Sequence, residues 1–166
     1  MTLTLILTRH AKSDWDDPHL SDHDRVLNDR GRGAAPKVGR WLKDHGHLPD
    51  AALVSSARRT VETWELLAPE LGVSVPMTLA PGLYHAEAGD ILTHLRKAEV
   101  PTVMVIGHNP GIGEFAHRIV DAPAPHPRFI DYPTCATLVA AFPGNAWSDV
   151  EWWSGQVVDF VVPRDL

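Results

Sequence analysis

The chain has 166 residues, of which 15 are Lys or Arg and 21 are Asp or Glu, so its formal net charge is −6. Hydrophobic residues make up 44% of the sequence. A chain of this length buries roughly 70% of the surface that it exposes when unfolded, which predicts one compact domain over the whole chain. The acidic balance argues against a nucleic-acid partner, because binding to nucleic acid needs a basic footprint on the phosphates. The single cysteine, Cys135, cannot form an internal disulfide, which favours a reducing compartment.

An apolar run opens the chain at residues 3–7, with no basic residue before it and with Arg9 and His10 directly after it. The run is too short to span a membrane and lacks the layout of a signal peptide. We therefore expect a cytoplasmic protein with no membrane partner. Its strand-forming composition predicts a first buried strand at residues 3–8.

Strand and helix patterns alternate along the first two thirds of the chain. Asn28 is suited to cap a helix over residues 29–45, in which Pro36 predicts either a kink or a late start near Ala35. Asn109 and Pro110 are a capping residue and a first helical residue for a later helix. The remaining predicted elements of this part are strands at residues 51–55, 75–79 and 102–107 and helices at residues 58–71, 89–98 and 110–120.

The last part of the chain has a different pattern. Four prolines within residues 121–133 predict a surface loop without regular structure. Strands are predicted after it at residues 136–142, 150–153 and 157–162, the last two joined by a turn at Ser154 and Gly155. The whole pattern predicts an α/β fold, a three-layer α/β/α sandwich whose central sheet is mostly parallel, with antiparallel C-terminal strands.

Basic side chains follow three of the predicted parallel strands. Arg9 and His10 follow the first strand, Arg58 and Arg59 follow the second, and His108 follows the fourth. Because these strand ends lie at one edge of the sheet, we expect the side chains to converge. Guanidinium groups match phosphate oxygens, and the helix after His108 adds free N–H groups and a positive dipole end. The sequence therefore predicts a pocket for a doubly charged phosphoryl group.

Three segments resemble the histidine phosphatase superfamily, also called the phosphoglycerate-mutase-like or RHG superfamily. They are TRHAKS at residues 8–13, SSARRTVET at residues 55–63 and GHNPG at residues 107–111. RHAKS in place of the commoner RHGE, together with DRVLNDRG at residues 24–31, is most similar to the SixA-type phosphohistidine phosphatases. The resemblance spans residues 3–120, about three quarters of the chain.

The resemblance implies a role for four of the basic residues. His10 would be the nucleophile that takes the phosphoryl group, and Arg9, Arg59 and His108 would hold the oxygens of that group. Arg58 precedes the matching arginine and receives no role. Positioning and fixed positive charge carry most of the catalysis of phosphoryl transfer in such a scheme, so we expect neither a metal ion nor another cofactor.

The attacking imidazole has to be neutral. We therefore expect one nitrogen of His10 to donate to a backbone carbonyl, which leaves the other nitrogen with its lone pair. Turnover should fall below about pH 6.5, unless the neighbouring arginines depress the pKa of His10 further.

Family members that act on phosphate esters resemble one another in carrying a glutamate general acid between the second and fourth strands. Here residues 80–90 offer only Glu87 and Asp90, neither within a recognisable motif. A missing acid favours a substrate whose leaving group departs without help, such as the imidazole of phosphohistidine. Our leading hypothesis is therefore a metal-independent phosphatase that acts through a phosphohistidine intermediate on protein phosphohistidine.

Two alternatives stay open at this point. The protein could be a phosphatase for small phosphorylated metabolites, with Glu87 or Asp90 as the acid. It could also be a non-catalytic module that binds phosphorylated partners. Mutase activity is disfavoured, because Asp16 stands where mutase-like members carry an asparagine that helps to hold phosphate, and a carboxylate there would repel the dianion.

Overall fold

A computed structural model describes residues 2–166, and this part of the chain forms one six-stranded sheet with helices on both faces. The strands are β1 (Thr2–Arg9), β2 (Ala51–Ser55), β3 (Met77–Ala80), β4 (Thr102–Gly107), β5 (Thr137–Pro143) and β6 (Gln156–Val161), and the helices are α1 (Asp29–Asp44), α2 (Arg58–Leu67), α3 (Ala88–Leu95) and α4 (Gly111–Ile119). The strand order is β3-β2-β4-β1-β5-β6. Strands β1 to β4 pair in parallel, whereas β5 pairs antiparallel with both β1 and β6. The expected α/β fold is confirmed.

Two hydrophobic layers sandwich the sheet. Strand β1 alternates between them, because Leu5 and Leu7 pack with α3 and α4 whereas Ile6 packs with α1 and α2. Successive side chains of a strand point to opposite faces, so a strand that is apolar at every position is buried on both. No helix within residues 2–166 is long and apolar enough to cross a bilayer.

Helix α1 begins where its capping residue predicts. The side chain of Asn28 accepts a hydrogen bond from the backbone N–H of Gly31 at 2.9 Å, and the helix continues from Asp29 through Pro36 to Asp44. The alternative of a late start near Ala35 is therefore wrong. The first turn of α1 packs against the loop that follows β1, since a Cβ on Gly31 would lie 2.1 Å from the backbone oxygen of Lys12.

The close approach at Gly31 predicts a stability difference between two glycines of the same helix. Gly31→Ala should lower the free energy of unfolding by about 1–3 kcal/mol, because the backbone of Lys12 has to move. Gly33→Ala is the matched control: its Cβ would meet nothing within 4 Å, so the better helix propensity of alanine should raise stability by about 0.5–1 kcal/mol. Urea unfolding followed by tryptophan fluorescence measures both, and equal effects would contradict the packing.

The C-terminal third departs from the sequence prediction in two places. Residues 150–153 are not a strand: Trp153 has a left-handed φ of 62°, and its N–H donates to Arg118 at the end of α4. The predicted hairpin through Ser154 and Gly155 is therefore wrong, because this segment packs on α4 instead of pairing with β6. The proline-rich segment has no regular structure, as predicted, but it is more than a surface loop, since Phe129 and Tyr132 are buried in the core.

Candidate active site

Four predicted residues meet at the carboxyl ends of three parallel strands. Arg9 ends β1 and His10 follows it, His108 follows β4, and Arg59 is the second residue of α2, just after β2. Strand β4 lies between β1 and β2 in the sheet. The order of the strands therefore brings together segments that are about 50 residues apart along the chain.

The imidazole of His10 is held in one tautomer. Its Nδ1 lies 2.7 Å from the backbone oxygen of Ala11. A carbonyl oxygen only accepts, so Nδ1 carries the proton and Nε2 keeps its lone pair. The expectation of a carbonyl partner is thus confirmed. His10 is 6% exposed, and the centroid of its ring lies 5.3 Å from that of His108.

The imidazole of His108 has one partner and one open position. Its Nε2 lies 2.7 Å from the hydroxyl of Ser55, the last residue of β2. Its Nδ1 is buried and has no hydrogen-bond partner among the described residues. The ring of Tyr84 stands edge-on to it, with 5.6 Å between the centroids. A buried polar nitrogen without a partner is costly, and a phosphoryl oxygen would satisfy it.

The start of α4 offers fewer free N–H groups to an anion than the sequence predicts. The N–H of Ile112 donates to the backbone oxygen of His108 at 2.8 Å, and the N–H of Gly113 donates to the side chain of Asn109 at 3.0 Å. The expectation of N–H groups free for an anion is therefore wrong for Ile112 and Gly113, because the turn itself uses both. The positive end of the helix dipole remains beside His108.

Two guanidinium groups lie beside the histidines. The NH1 of Arg9 donates to the backbone oxygen of Tyr132 at 3.3 Å. The NH1 of Arg59 donates to the backbone oxygen of Asp22 at 2.6 Å. The Nε atoms of both arginines are buried and lack a partner among residues 2–166. Burial and then the charge of Arg59 lower the pKa of Arg9, so the two cations are close enough to interact.

Comparison with known proteins identifies the family of this chain. A model of the histidine phosphatase superfamily (branch 1) matches residues 5–101, more than half of the chain. The chain belongs to the histidine phosphatase superfamily. An uncharacterized protein of Mycobacterium tuberculosis is 32% identical over 163 residues, covering 94% of this chain and 99% of that protein. An uncharacterized chloroplastic protein of Arabidopsis thaliana is 35% identical, covering 91% of this chain and 72% of that protein.

Within the superfamily, the chain is SixA-like. A structure from Nakamurella multipartitia, assigned as a SixA phosphohistidine phosphatase, superposes with a TM-score of 0.78 at 28% identity, covering 98% of this chain and 97% of that one. The protein histidine phosphatase SixA in complex with tungstate superposes with a TM-score of 0.80 at 20% identity, covering 98% and 99% of the two chains. The fold of this superfamily member, including its antiparallel strands, is therefore that of SixA.

A carboxylate that sequence reasoning did not select links the cations of the site. Asp22 accepts from the NH2 of Arg59 at 3.1 Å, from the NH2 of Arg25 at 2.9 Å and from the hydroxyl of Tyr84 at 2.5 Å. The hydrogen bond from Tyr84 and then that from Arg25 lower the pKa of Asp22 well below its usual range. Asp22 is therefore an anion that holds two cations in place and is no proton donor.

Arg25 is the second residue that sequence reasoning missed. It is buried, donates to the hydroxyl of Ser13 and stacks over the exposed ring of Trp15, with 3.5 Å between its Cζ and the ring centroid. Its charge contributes to lowering the pKa of His10. The sequence around it, residues 14–25, is polar, and neither the burial of Arg25 nor its contact with Asp22 follows from that composition.

The carboxylates that sequence reasoning did select lie elsewhere. The side chain of Asp90 accepts from the backbone N–H of Glu87 at 3.0 Å and so caps α3. Glu87 is exposed, although its Cα would lie 3.6 Å from a Cβ on Gly111 at the start of α4. Asp16 is exposed and has no ion pair within residues 2–166. The carboxylate that pairs with Arg59 is that of Asp22.

Both imidazoles of the site are neutral at ordinary pH. Burial, followed by the charges of Arg9 and Arg59, lowers the pKa of His10 to about 3, against the opposing effect of the Ala11 carbonyl. Burial, followed by the proximity of His10, lowers the pKa of His108 to about 3. The sequence analysis assigned such a shift to the arginines, whereas burial is the larger cause. We therefore expect the fall in kcat/KM that protonation of His10 causes to occur well below pH 6.5.

These lowered pKa values predict that acid destabilises the fold. The unfolded chain binds protons at pKa 6.5, whereas the folded chain does not until about 3. The free energy of unfolding should therefore fall as the pH drops below 6.5, by up to about 2 kcal/mol per histidine between about pH 7 and about pH 5. Urea unfolding at the two pH values measures this, and His10→Asn should lose less than the wild type. Equal losses in the two proteins would contradict the lowered pKa of His10.

Proposed function

We propose that this protein is a metal-independent phosphatase that removes phosphate from protein phosphohistidine through a phosphohistidine intermediate on His10. In this proposal Arg9, Arg59 and His108 hold the phosphoryl oxygens. Residues 1–166 act as one catalytic domain in the cytoplasm. The partner is a phosphorylated protein, and neither a nucleic acid nor a membrane is a partner. The tautomer of His10 is the observation that carries the proposal, because a neutral ring with a free Nε2 beside two guanidiniums is prepared for attack on phosphorus.

The reaction has two balanced steps. In the first, Nε2 of His10 forms a bond to phosphorus while the bond from phosphorus to the substrate imidazole breaks, and the departing nitrogen takes a proton from solvent. In the second, the oxygen of water attacks phosphorus, the bond to Nε2 breaks, and the water proton leaves to solvent. The products are inorganic phosphate and an unmodified histidine, and His10 returns to its neutral form.

The cations act on the transferring group. Negative charge spreads over its three equatorial oxygens in each step, and Arg9 and Arg59 stabilise this charge from fixed positions. Nδ1 of His108 gains a partner when an oxygen lies beside it. Asp22 keeps Arg59 oriented when the pocket is empty. The similar protein histidine phosphatase SixA has a structure in complex with tungstate, a tetrahedral oxyanion, which supports an oxyanion as the ligand of this pocket.

The choice of substrate rests on the leaving group. Asp22 is held ionised, Asp90 caps α3, and Glu87 is exposed. Within residues 2–166, none of these three carboxylates forms a hydrogen bond with His10 or His108, whose imidazoles bond to Ala11 and Ser55. An alkoxide leaves poorly without a proton, whereas an imidazole leaves readily, so this set of residues favours a phosphoramidate over a phosphate ester.

Hydrolysis of a phosphohistidine peptide and of an aryl phosphate tests the proposal. We expect a higher kcat/KM on the peptide, unchanged by EDTA and absent in His10→Ala. Activity that EDTA abolishes, or that survives in His10→Ala, would overturn the mechanism.

The phosphate-ester alternative has its own readout. The backbone of Glu87 lies against the first turn of α4, close to His108, so this glutamate is the remaining candidate acid. If ester hydrolysis predominates and Glu87→Gln removes it while phosphohistidine turnover persists, the small-molecule phosphatase is the better description.

A further inference from the structure

A basic groove lies beside the candidate site, between α1 and the C-terminal end of the chain. Its volume is about 700 Å³. Its lining contains five cationic side chains: Lys12, Arg30, Lys37, Arg128 and Arg164. Five of the 15 Lys and Arg residues therefore line one groove of a protein whose net charge is −6. A concave surface lined by one sign of charge focuses the potential even when the whole molecule carries the other sign.

Four of the five cations of this groove have no carboxylate partner within residues 2–166. Within residues 2–166, Lys12, Arg30, Lys37 and Arg164 form no ion pair, whereas Arg128 pairs with Asp131. The carboxylate in the lining, Asp29, is paired with Arg32 on the next turn of α1. Four like charges without partners repel one another, and an anionic ligand would remove that repulsion.

The floor of the groove is small and apolar. This floor consists of Gly33 and Ala34 of α1 and of Pro133, Val162 and Pro163, all of which line the groove. A Cβ on Gly33 would meet nothing within 4 Å, so the floor is open to a ligand. Arg30 and Lys37 are seven residues apart on α1, which separates them by about 10 Å along the helix. An apolar strip between separated cations suits an extended surface more than a single compact anion.

The groove adjoins the residue proposed as nucleophile. Lys12 is two residues after His10, so their Cα atoms are at most about 7 Å apart. On the other side, Pro133 follows Tyr132, whose backbone oxygen accepts from Arg9. A polypeptide whose phosphorylated histidine lies in the pocket has its flanking residues within reach of the groove.

We propose that this basic groove docks an acidic segment of the phosphorylated protein, with carboxylates on the cations and small apolar side chains on the floor. The inference rests on the proposed function, because it names the class of protein that presents its phosphohistidine to His10. Charge complementarity of this kind acts mainly on the rate of association and on the choice of partner.

Two peptides of equal length test the groove, one with glutamates on both sides of the phosphohistidine and one with glutamines. Free phosphohistidine is the third substrate. We expect the wild type to prefer the glutamate peptide by about tenfold in kcat/KM at low salt, and added salt should reduce the preference. Arg30→Glu combined with Lys37→Glu should abolish or reverse this ratio. Lys43→Glu combined with Lys97→Glu makes the same change of charge outside the groove and should keep it.

The outcomes separate the groove from the chemistry. Equal kcat/KM values on the two peptides, or a preference that survives in Arg30→Glu/Lys37→Glu, would overturn the docking proposal while phosphatase activity stands. If free phosphohistidine is not hydrolysed, the proposed function fails, and binding of the unphosphorylated peptides, followed by fluorescence anisotropy, still tests the groove. Tight binding of inorganic polyphosphate without a preference for the glutamate peptide would show that the ligand class is wrong.

Discussion

His10→Asn is expected to abolish turnover while preserving the fold around the site. The amide nitrogen of asparagine stands in for Nδ1 and can still donate to the backbone oxygen of Ala11, which lies 2.7 Å from Nδ1 in the wild type. Asparagine has no counterpart of Nε2, so no bond to phosphorus can form. We expect kcat on a phosphohistidine peptide to fall by about 10⁴-fold or more, as when a covalent nucleophile is removed elsewhere.

A histidine outside the site provides the matched control. Nδ1 of His45 likewise donates to a backbone oxygen, that of Trp41 at 2.9 Å. His45→Asn makes the same chemical change and should leave kcat within about twofold of the wild type. Turnover that persists in His10→Asn, or that falls equally in the two variants, would contradict the role of His10.

Arg59→Ala is expected to be the second most severe substitution. Arg59 is 5% exposed, and its guanidinium is oriented by the backbone oxygen and the carboxylate of Asp22. An arginine that stabilises the charge of a transferring phosphoryl group contributes about 10³ to 10⁵ to the rate in other enzymes, and we expect a loss in this range in kcat. Single-turnover kinetics measure it directly.

The neighbouring arginine is the control for Arg59. Arg58 is half exposed and pairs with Glu62 and Glu65 on the surface of α2, at 3.8 and 3.7 Å. Such exposed pairs are worth about 0.2–1 kcal/mol at most, so Arg58→Ala should leave kcat nearly unchanged. Circular dichroism of both variants separates lost chemistry from lost folding. A loss below tenfold in folded Arg59→Ala would contradict its place on the phosphoryl group.

The interior of the fold could be predicted from local patterns because burial dictates them. Strands β2 and β4 have the predicted bounds, since an apolar run bounded by polar residues leaves little choice of register. Residues 150–153 show where the pattern fails. Their valine and tryptophans favour a strand, but Trp152 packs on Phe115 and stacks against Arg118 of α4. Tertiary contacts therefore override the local preference.

The candidate site likewise contains residues that the sequence predicts and residues that it does not. The places of His10, Arg59 and His108 could be predicted because each follows a strand of a parallel sheet, although only the family resemblance selected Arg59 over Arg58. Asp22 and Arg25 could not, because they belong to a loop without periodicity. Only the folded chain brings Asp22 onto Arg59 and Tyr84, and Arg25 onto Asp22. The lowering of the pKa of His10 is larger than the sequence predicts for the same reason. The largest cause of that lowering is burial, which depends on the complete fold.

Trapping of the phosphorylated enzyme tests the central claim most directly. The wild type is mixed with a phosphohistidine peptide carrying ³²P, quenched in base, where phosphoramidates survive, and digested for peptide mapping. We predict a rapid burst of labelled protein whose amount is proportional to the enzyme concentration. The label should lie on His10, and His10→Asn should show no burst. Turnover without labelled protein, or a label on any other residue, would contradict covalent catalysis by His10.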